Sequence, residues 1–590
     1  MGHAYCGRVT RVNGPLVSVH LETGLQMMEV VYVSEFRLVG EVLHIRGEEA
    51  VVQVYEDTSG VKPGDEVWHS GLPLSVELGP GLIGNVFDGI QRPLEEIAKI
   101  SGIYIGRGIN VPALSRTRKW EFFPKVGVGQ RVGGGTVLGH VPETPLVEHR
   151  VLVPPRLEGE IVWIAEAGQY TVEDPIAEIR LSQGVIEKLF LFHRWPVKIP
   201  RPVRKRLDTK EPLLTGQRIV DMFFPLSKGG TAAIPGGFGT GKTITQHQLA
   251  KWADADIILY IGCGERGNEI TEVLEDFPKL IDPKTNRPLM ERTIVIANTS
   301  NMPVTAREAS IYTGITLAEY YRDMGYDVAL MADSSSRWAE ALRELSGRLE
   351  EMPAEEGFPA YLGSRLAAFY ERAGNFVTLC GEEASISAIG AVSPPGGDFS
   401  EPVTQNTKRF VRCFWELDKA LASSRHYPSI NWMRSYSEYA EECEEWWVNR
   451  VDPEYRTIRL EAYGILQKED KLQKIVKLIG PDALPDTERL YLDIARLIKV
   501  GFLQQSAYDP VDTYSTPEKQ IALLRLILDF KRKAEELVRQ GVPLFKIREM
   551  QSFSDIMRAK LTVPNEDLSG LERLRQAMEQ EFAQIETEYL

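Results

Sequence analysis

The chain has 590 residues, with 68 Lys plus Arg against 83 Asp plus Glu and a formal net charge of −15. That length excludes a small stapled scaffold and suggests about four domains, while 43% hydrophobic and 26% charged residues exclude a disordered chain. Five cysteines, Cys6, Cys263, Cys380, Cys413 and Cys443, show no CxxC pair, which argues against a disulfide framework or a zinc site, and the acidic balance argues against a nucleic-acid surface.

No window approaches the roughly eighteen apolar residues needed to span a bilayer, and the start MGHAYCGRVTRV lacks the apolar stretch of a signal peptide. The expectation is a chain that does not enter a membrane by itself.

Residues 1–72 alternate β-branched and polar residues in short runs (GRVTRV, LVSVHL, EAVVQVYE) between turn signals, the pattern of a small β-barrel. A second stretch, 113–187, is dense in glycine and proline yet keeps its apolar alternation (RVLVPPRLEGEIVWI), which reads as an inserted β-rich domain. Residues 73–112 and 188–437 frame it; from about Thr231 to Val392 apolar runs (TAAIP, DIILYIGCG, TIVIAN, DVALMAD) alternate with amphipathic segments, implying a parallel sheet covered by helices. Over 438–590 helical spacing takes over, as at Leu490, Ile494, Leu497 and Ile498, and a helical bundle is expected. The closing segment from Asn565 to Leu590 reads as a solvated or partner-facing amphipathic helix. The fold class is therefore multidomain: barrel, β insert, central α/β domain, helical C-terminus.

Gly236, Gly237, Phe238, Gly239, Thr240, Gly241, Lys242 and Thr243 form GxxxxGK[ST] between the strand-like TAAIP and the helix-like TITQHQLAKW, the context a phosphate-binding loop requires. Glycines let backbone N–H groups turn toward phosphates, the helix N-terminus adds its dipole, Lys242 reaches the β and γ oxygens and the Thr243 hydroxyl suits Mg2+. Asp333 ends the apolar run DVALMAD, where a carboxylate at a strand's C-terminal edge can hold the water shell of Mg2+. The alternative for Asp333 is an N-cap of the helix that follows. Glu265 and Arg266 follow IILYIGC on a glycine-flanked turn; a water-positioning carboxylate and a surface ion pair both fit them. Arg307 and Arg337 read as structural or interface ion pairs, His247 as a helix-surface residue and Cys263 as a buried small hydrophobe.

The segments YEDTSGVKPGDEV, GGTAAIPGGFGTGKT, IGCGERGNEITEVLEDFP, ANTSNMPVTAREASIY, MADSSSRWAEALREL, EEMPAEEGFPAYL and VSPPGGDFSEPVTQ resemble the catalytic A subunits (alpha chains) of V-type and archaeal-type rotary ATPases, over nearly the whole chain. Gly237 stands where that family usually has Pro or Ala, and Thr240 where it has Ser or Cys. The resemblance implies ATP or ADP with Mg2+ on the loop ending in Lys242 and Thr243, Glu265 positioning the attacking water, Arg266 near the γ-phosphate and Asp333 in the magnesium sphere. It further implies adenine held by aromatics, Tyr427 and Phe502, with Tyr508 in reserve; a flat base suits such rings, and the alternative for each is an ordinary core aromatic. Pro394–Asp398, a rigid loop, would face a neighbouring protein of the same assembly.

The same resemblance implies an alternating A3B3 ring with a non-catalytic B-type partner supplying an arginine finger in trans, worth about 10³ to 10⁵ in rate. Central and peripheral stalk components and, indirectly, a membrane sector moving protons or sodium ions complete the expected partners. Such a chain would be cytoplasmic and peripherally membrane-associated. The rivals are a secretion-system export ATPase, a hexameric RNA translocase, and a ring protein whose nucleotide is purely structural. The insert and the acidic charge count against the first two, and Glu265 against the third.

Overall fold

The computed structural model describes residues 4–102, 105–282 and 285–589. The chain forms two compact units, Met1–Asp208 with Ala255–Val411, and Thr209–Asp254 with Arg412–Leu590.

In the first unit the alternating N-terminal segments close into a six-stranded barrel. Its order is Ala4–Asn13, Leu16–Leu21, Glu49–Val54, Leu38–Arg46, Glu29–Val33 and Glu66–Pro73, the last strand pairing back to the first. The residues that alternate inward, among them Val9, Val17, Val19, Val31, Val33, Val42 and Val52, form one buried cluster, so the period-two pattern is the cause of closure. The insert forms two four-stranded sheets. One runs Arg131–Val132, Gly159–Ile164, Pro175–Leu181, Ile186–Phe190, and the other Glu148–Leu152, Val137–Pro142, Trp120–Pro124, Gly168–Tyr170.

The same unit holds a run of parallel strands in the order Glu383–Val392, Val328–Asp333, Ile257–Glu265, Thr293–Thr299 and Val86–Phe87. Ile257, Ile258, Leu259, Tyr260 and Ile261 are all buried, as expected of strands covered on both faces. Helix Val304–Asp323 buries every residue but Val304 and Arg307, and helix Ser335–Arg348 buries Trp338, Ala341, Leu342 and Leu345. The insert is fastened to this core through Glu143. Its carboxylate accepts the N–H groups of Gly81, Leu82 and Ile83, and hydrogen-bonds His149 and the Tyr321 hydroxyl.

In the second unit strand Thr231–Pro235 pairs in parallel with Cys413–Phe414 and leads into helix Lys242–Trp252. The rest is helical: Tyr455–Ile479, Asp486–Arg496 continuing as a π-helical turn Leu497–Leu503, Pro517–Arg539, Gln551–Thr562 and Ser569–Tyr589. Leu490, Ile494, Leu497 and Ile498 are buried as their spacing implied. The last helix starts at Ser569, not Asn565, because the Asn565 amide is used elsewhere. It accepts from Thr516 N–H and donates to the Tyr514 carbonyl. Nor is that helix merely solvated: Leu571, Met578 and Phe582 are buried, with the Phe582 ring 5.1 Å from Phe530. Among the described residues no helix is long and apolar enough to cross a membrane.

Candidate functional site

The loop Gly236–Gly241 joins strand Thr231–Pro235 to helix Lys242–Trp252, and its shape follows from its glycines. A side chain at Gly236 would stand 2.6 Å from Thr240 Oγ1 and 2.8 Å from Leu417 Cβ, while Gly239 and Gly241 have φ of +78° and +86°, a region L-residues avoid. Thr240 is buried, its hydroxyl donating to the Gly237 carbonyl at 2.8 Å and its own carbonyl accepting from Ser429 at 2.6 Å. The Lys242 ammonium donates to the Gly236 carbonyl at 3.1 Å, which holds it over the loop. No side chain caps the helix at Gly241, and the positive end of the helix dipole there favours an anion. Phe238 is 82% exposed.

A cavity of about 900 Å³ opens beside the loop, lined by Gly239, Gly241, Tyr427, Gln504, Tyr508 and Lys560 among others. Tyr427, 42% exposed, and Tyr508, 85% exposed, offer aromatic surface there. Phe502 does not. It is fully buried on the inward face of Leu497–Leu503, with its ring edge-on to Phe223 at 6.2 Å. The expectation of an adenine-stacking Phe502 is thereby corrected in this structure: the turn that carries it buries Leu497, Ile498 and Leu503 as well, so the ring is spent on the helical core. Tyr508, the reserve candidate, lines the cavity from the loop that follows.

In the other unit, Glu265 ends strand Ile257–Glu265 and Asp333 ends the adjacent parallel strand Val328–Asp333, with Gly262 opposite Asp333 in register. Both stand at carboxyl edges, the usual place for ligand groups in such sheets. Glu265 is partly exposed and Arg266, exposed, is the N-cap of helix Gly267–Asp276. Asp333 is buried and accepts from the Tyr260 hydroxyl at 3.2 Å. It does not cap the next helix, whose N-cap is Ser334. Arg337 pairs with Glu340 at 2.8 Å, Arg307 donates to the Ser300 carbonyl, and Cys263 is buried as expected, its thiol pushed up to about 12 by that burial.

Sequence reasoning missed Arg218, Gln505 and Lys560, which hold the wall of the cavity. Arg218 is buried in an ion pair with Asp512 at 2.7 Å, and burial, with Arg218 adding to it, lowers Lys560 to about 8 against the pull of Asp512. No motif marks them; the partners of Arg218 lie almost three hundred positions away in sequence.

Among the described residues no cluster of three or more His, Cys, Asp or Glu side chains could hold a metal alone. The Thr243 hydroxyl and, in the other unit, the Asp333 carboxylate are each by themselves a hard oxygen donor of the kind Mg2+ takes, an ion that keeps several waters and needs few protein ligands.

A phosphate loop on a parallel sheet, a preceding β-barrel and a following helical bundle define a nucleotide-binding ATPase fold. Residues 9–71 match the beta-barrel domain of the ATP synthase alpha/beta family, 111–198 the barrel-sandwich domain of the same alpha/beta chains, 216–437 the family's nucleotide-binding domain, and 444–548 the C-terminal domain of V and A type ATP synthase. The A subunit of the A-type ATP synthase from Thermococcus onnurineus is 59% identical over 567 residues, 96% of this chain and 97% of that one. The V-type ATP synthase alpha chain of Halothermothrix orenii is 57% identical over 584 residues, 99% of each chain. The corresponding A-type protein of Methanopyrus kandleri is 57% identical over 588 residues, again 99% of each. Among solved structures, the assembled ATPase EscN from the type III secretion system of enteropathogenic E. coli superposes with a TM-score of 0.63 at 21% identity, covering 88% of this chain and all of that one; this likeness is one of fold alone. The chain belongs to the A subunits, or alpha chains, of the A- and V-type ATP synthases, the catalytic subunits of those multi-protein complexes.

Proposed function

We propose that the chain hydrolyses or synthesises ATP with Lys242 on the β and γ oxygens, the N–H groups of the loop Gly236–Gly241 around the phosphates, and Glu265 orienting water in line with the γ-phosphate. Arg266 stands by the transferred phosphoryl group, and Tyr427, with Tyr508, takes the base. Thr243 and, by way of a water shell, Asp333 would hold Mg2+, which when bound would supply positive charge against the phosphate oxygens. The domains are 1–72, 73–112 with 188–437, 113–187, and 438–590. In this reading the chain alternates with a B-type partner in a ring of six, and the partner's arginine completes each site. Stalk components pass the motion to a membrane sector that moves protons or sodium ions, with the ring held peripherally on the cytoplasmic side.

The observation that carries the reading is the phosphate loop itself: positive-φ glycines at 239 and 241, an uncapped helix N-terminus, and Lys242 held over the loop. The test is ATP binding and turnover by the chain alone and with a B-type partner, comparing wild type, Lys242→Ala and Glu265→Gln. Turnover that depends on the partner, binding lost in the first variant and binding kept with turnover lost in the second are expected. Equal turnover in wild type and Glu265→Gln would remove the water-orienting role, and no turnover with partner would favour a structural nucleotide.

A further inference from the structure

One wall of the cavity beside the phosphate loop is made by residues 504–512, and a buried arginine ties that wall down at several points. Arg218 opens helix Arg218–Phe223. Its Nε donates to the Phe502 carbonyl at 2.5 Å, its Nη2 to the Gln504 carbonyl at 2.9 Å, and its guanidinium pairs with Asp512 at 2.7 Å. Lys560 donates to the same Gln504 carbonyl at 2.6 Å. In return Gln505 closes the helix that carries Arg218: its Oε1 accepts the Arg218 N–H at 2.9 Å, and its Nε2 donates to the Gly216 carbonyl at 2.8 Å. The Gln505 N–H then reaches the carbonyl of Tyr427 at 2.8 Å.

The chemistry behind this is the end of the π-helical turn Leu497–Leu503, whose last carbonyls have no partner within the helix. A cation is the natural cap for them, and a guanidinium fork fixes direction as well as charge. Stability alone does not account for the choice. A buried ion pair is weak evidence for stability, and Arg218 Nη1 is buried without a hydrogen-bond partner, which subtracts from whatever the pair contributes. What the arrangement does secure is the position of the Gln504–Asp512 wall relative to Tyr427 and the loop.

We propose that Arg218 is a positioning residue for nucleotide affinity and base selectivity: it touches no substrate and acts by holding Gln504, Gln505 and Tyr427 in one frame around the base. The inference rests on the reading that this cavity takes the base. Its geometry is contained in one compact unit.

The test uses the full chain with its B-type partner and four proteins: wild type, Arg218→Lys, the double variant Arg218→Met with Asp512→Asn, and Tyr427→Ala. Arg218→Lys keeps the charge but not the fork, and the double variant removes both members of the pair, so that neither is left buried without the other. For each, KM and kcat are measured with ATP and GTP, together with the dissociation constant for ADP and the melting temperature. Misplacement of a binding wall by an ångström raises KM for ATP by roughly tenfold to a hundredfold with kcat held, and the ATP-over-GTP preference shrinks in both Arg218 variants whether or not their melting temperatures fall. A lowered melting temperature in Arg218→Lys with unchanged KM and preference would reduce the arginine to a structural role. Unchanged nucleotide constants in the Arg218 variants with a raised KM in Tyr427→Ala would sink this inference alone. Unchanged constants in Tyr427→Ala as well would sink the base-cavity reading beneath it.

Discussion

Removal of the Glu143 side chain should loosen the attachment of the β insert to the core, and the size of the effect follows from the hydrogen bonds it makes. The carboxylate is 1% exposed and accepts from Gly81, Leu82 and Ile83 at 2.8, 3.0 and 3.2 Å, from the Tyr321 hydroxyl at 3.0 Å, and pairs with His149 Nδ1 at 2.9 Å. Glu143→Ala leaves the buried N–H groups of Leu82 and Ile83 without an acceptor, at about 1–3 kcal/mol each, and strands the Tyr321 hydroxyl for about 1 kcal/mol more, so about 5 kcal/mol in all. Burial by itself would raise the Glu143 carboxyl, but the hydrogen bond and charge of His149 and the backbone N–H groups hold it below its ordinary value. A carboxylate lowered in the folded state stabilises above its unfolded pKa of about 4.3, and that contribution fades as pH falls through the folded value.

The assay is hydrogen–deuterium exchange of the segment containing residues 81–83, at neutral pH on the full chain. Each 1.4 kcal/mol is a factor of ten, so exchange there should quicken by about 10³ to 10⁴ if the segment opens locally. Glu148→Ala, whose side chain is 59% exposed, serves as the control and should leave the rate unchanged. Exchange within about threefold of wild type in Glu143→Ala would refute the reasoning, because a freed amide costs far more than that.

Burial, with Lys560 and Lys499 nearby, lowers His426 to about 4; the unfolded chain takes that proton near 6.5, so stability should fall by about 3 kcal/mol between pH 6.5 and 4. His426→Gln should flatten that part of the melting-temperature profile; an unchanged profile excludes His426 as its source. Gly241→Ala must hold φ near +86° and brings a Cβ to 3.3 Å from Tyr427 Cε1, so ADP binding measured by calorimetry should weaken. Gly184→Ala, at φ +79° with open space around it, should bind ADP normally despite a similar backbone strain of about 1–2 kcal/mol. Phe502→Ala should cost about 3–5 kcal/mol of stability, whereas Tyr427→Ala should leave the melting temperature alone and lower ATP affinity by about 1–3 kcal/mol; the reverse pattern would return Phe502 to the base site.

How much of the molecule is legible in its sequence depends on the range over which each feature is decided. The phosphate loop is local: strand, glycines, Lys242 and helix follow one another within a dozen or so residues, and their spacing states the geometry. The barrel is legible for a related reason, since Val17 and Val19 must share a face in any strand. Asp333 is ambiguous in sequence because a strand end and a helix start coincide there, and only the backbone shows Ser334 as the cap. Phe502 misleads because an aromatic near a recognisable loop carries no mark of the side it faces; one π-helical turn decides that. Arg218 and Gln505 are invisible because their roles depend on partners 284 and 287 positions away.

Glu143 and Arg218 are both buried charges tying distant segments together, yet their surroundings assign them different work. Every oxygen of Glu143 is used, by three backbone N–H groups, a hydroxyl and an imidazole, so the desolvation of the carboxylate is offset by charge-assisted bonds. Arg218 makes strong bonds through Nε and Nη2 while Nη1 lacks a hydrogen-bond partner, which leaves part of its desolvation uncompensated. The two should therefore separate under substitution by neutral side chains. Loss at Glu143 appears as lowered stability of the first unit with nucleotide constants unchanged, and neutral replacement of the Arg218–Asp512 pair appears as raised KM with stability nearly kept. A chain in which both replacements lowered stability alike, with no change in nucleotide constants, would show that buried charge here fixes only the fold.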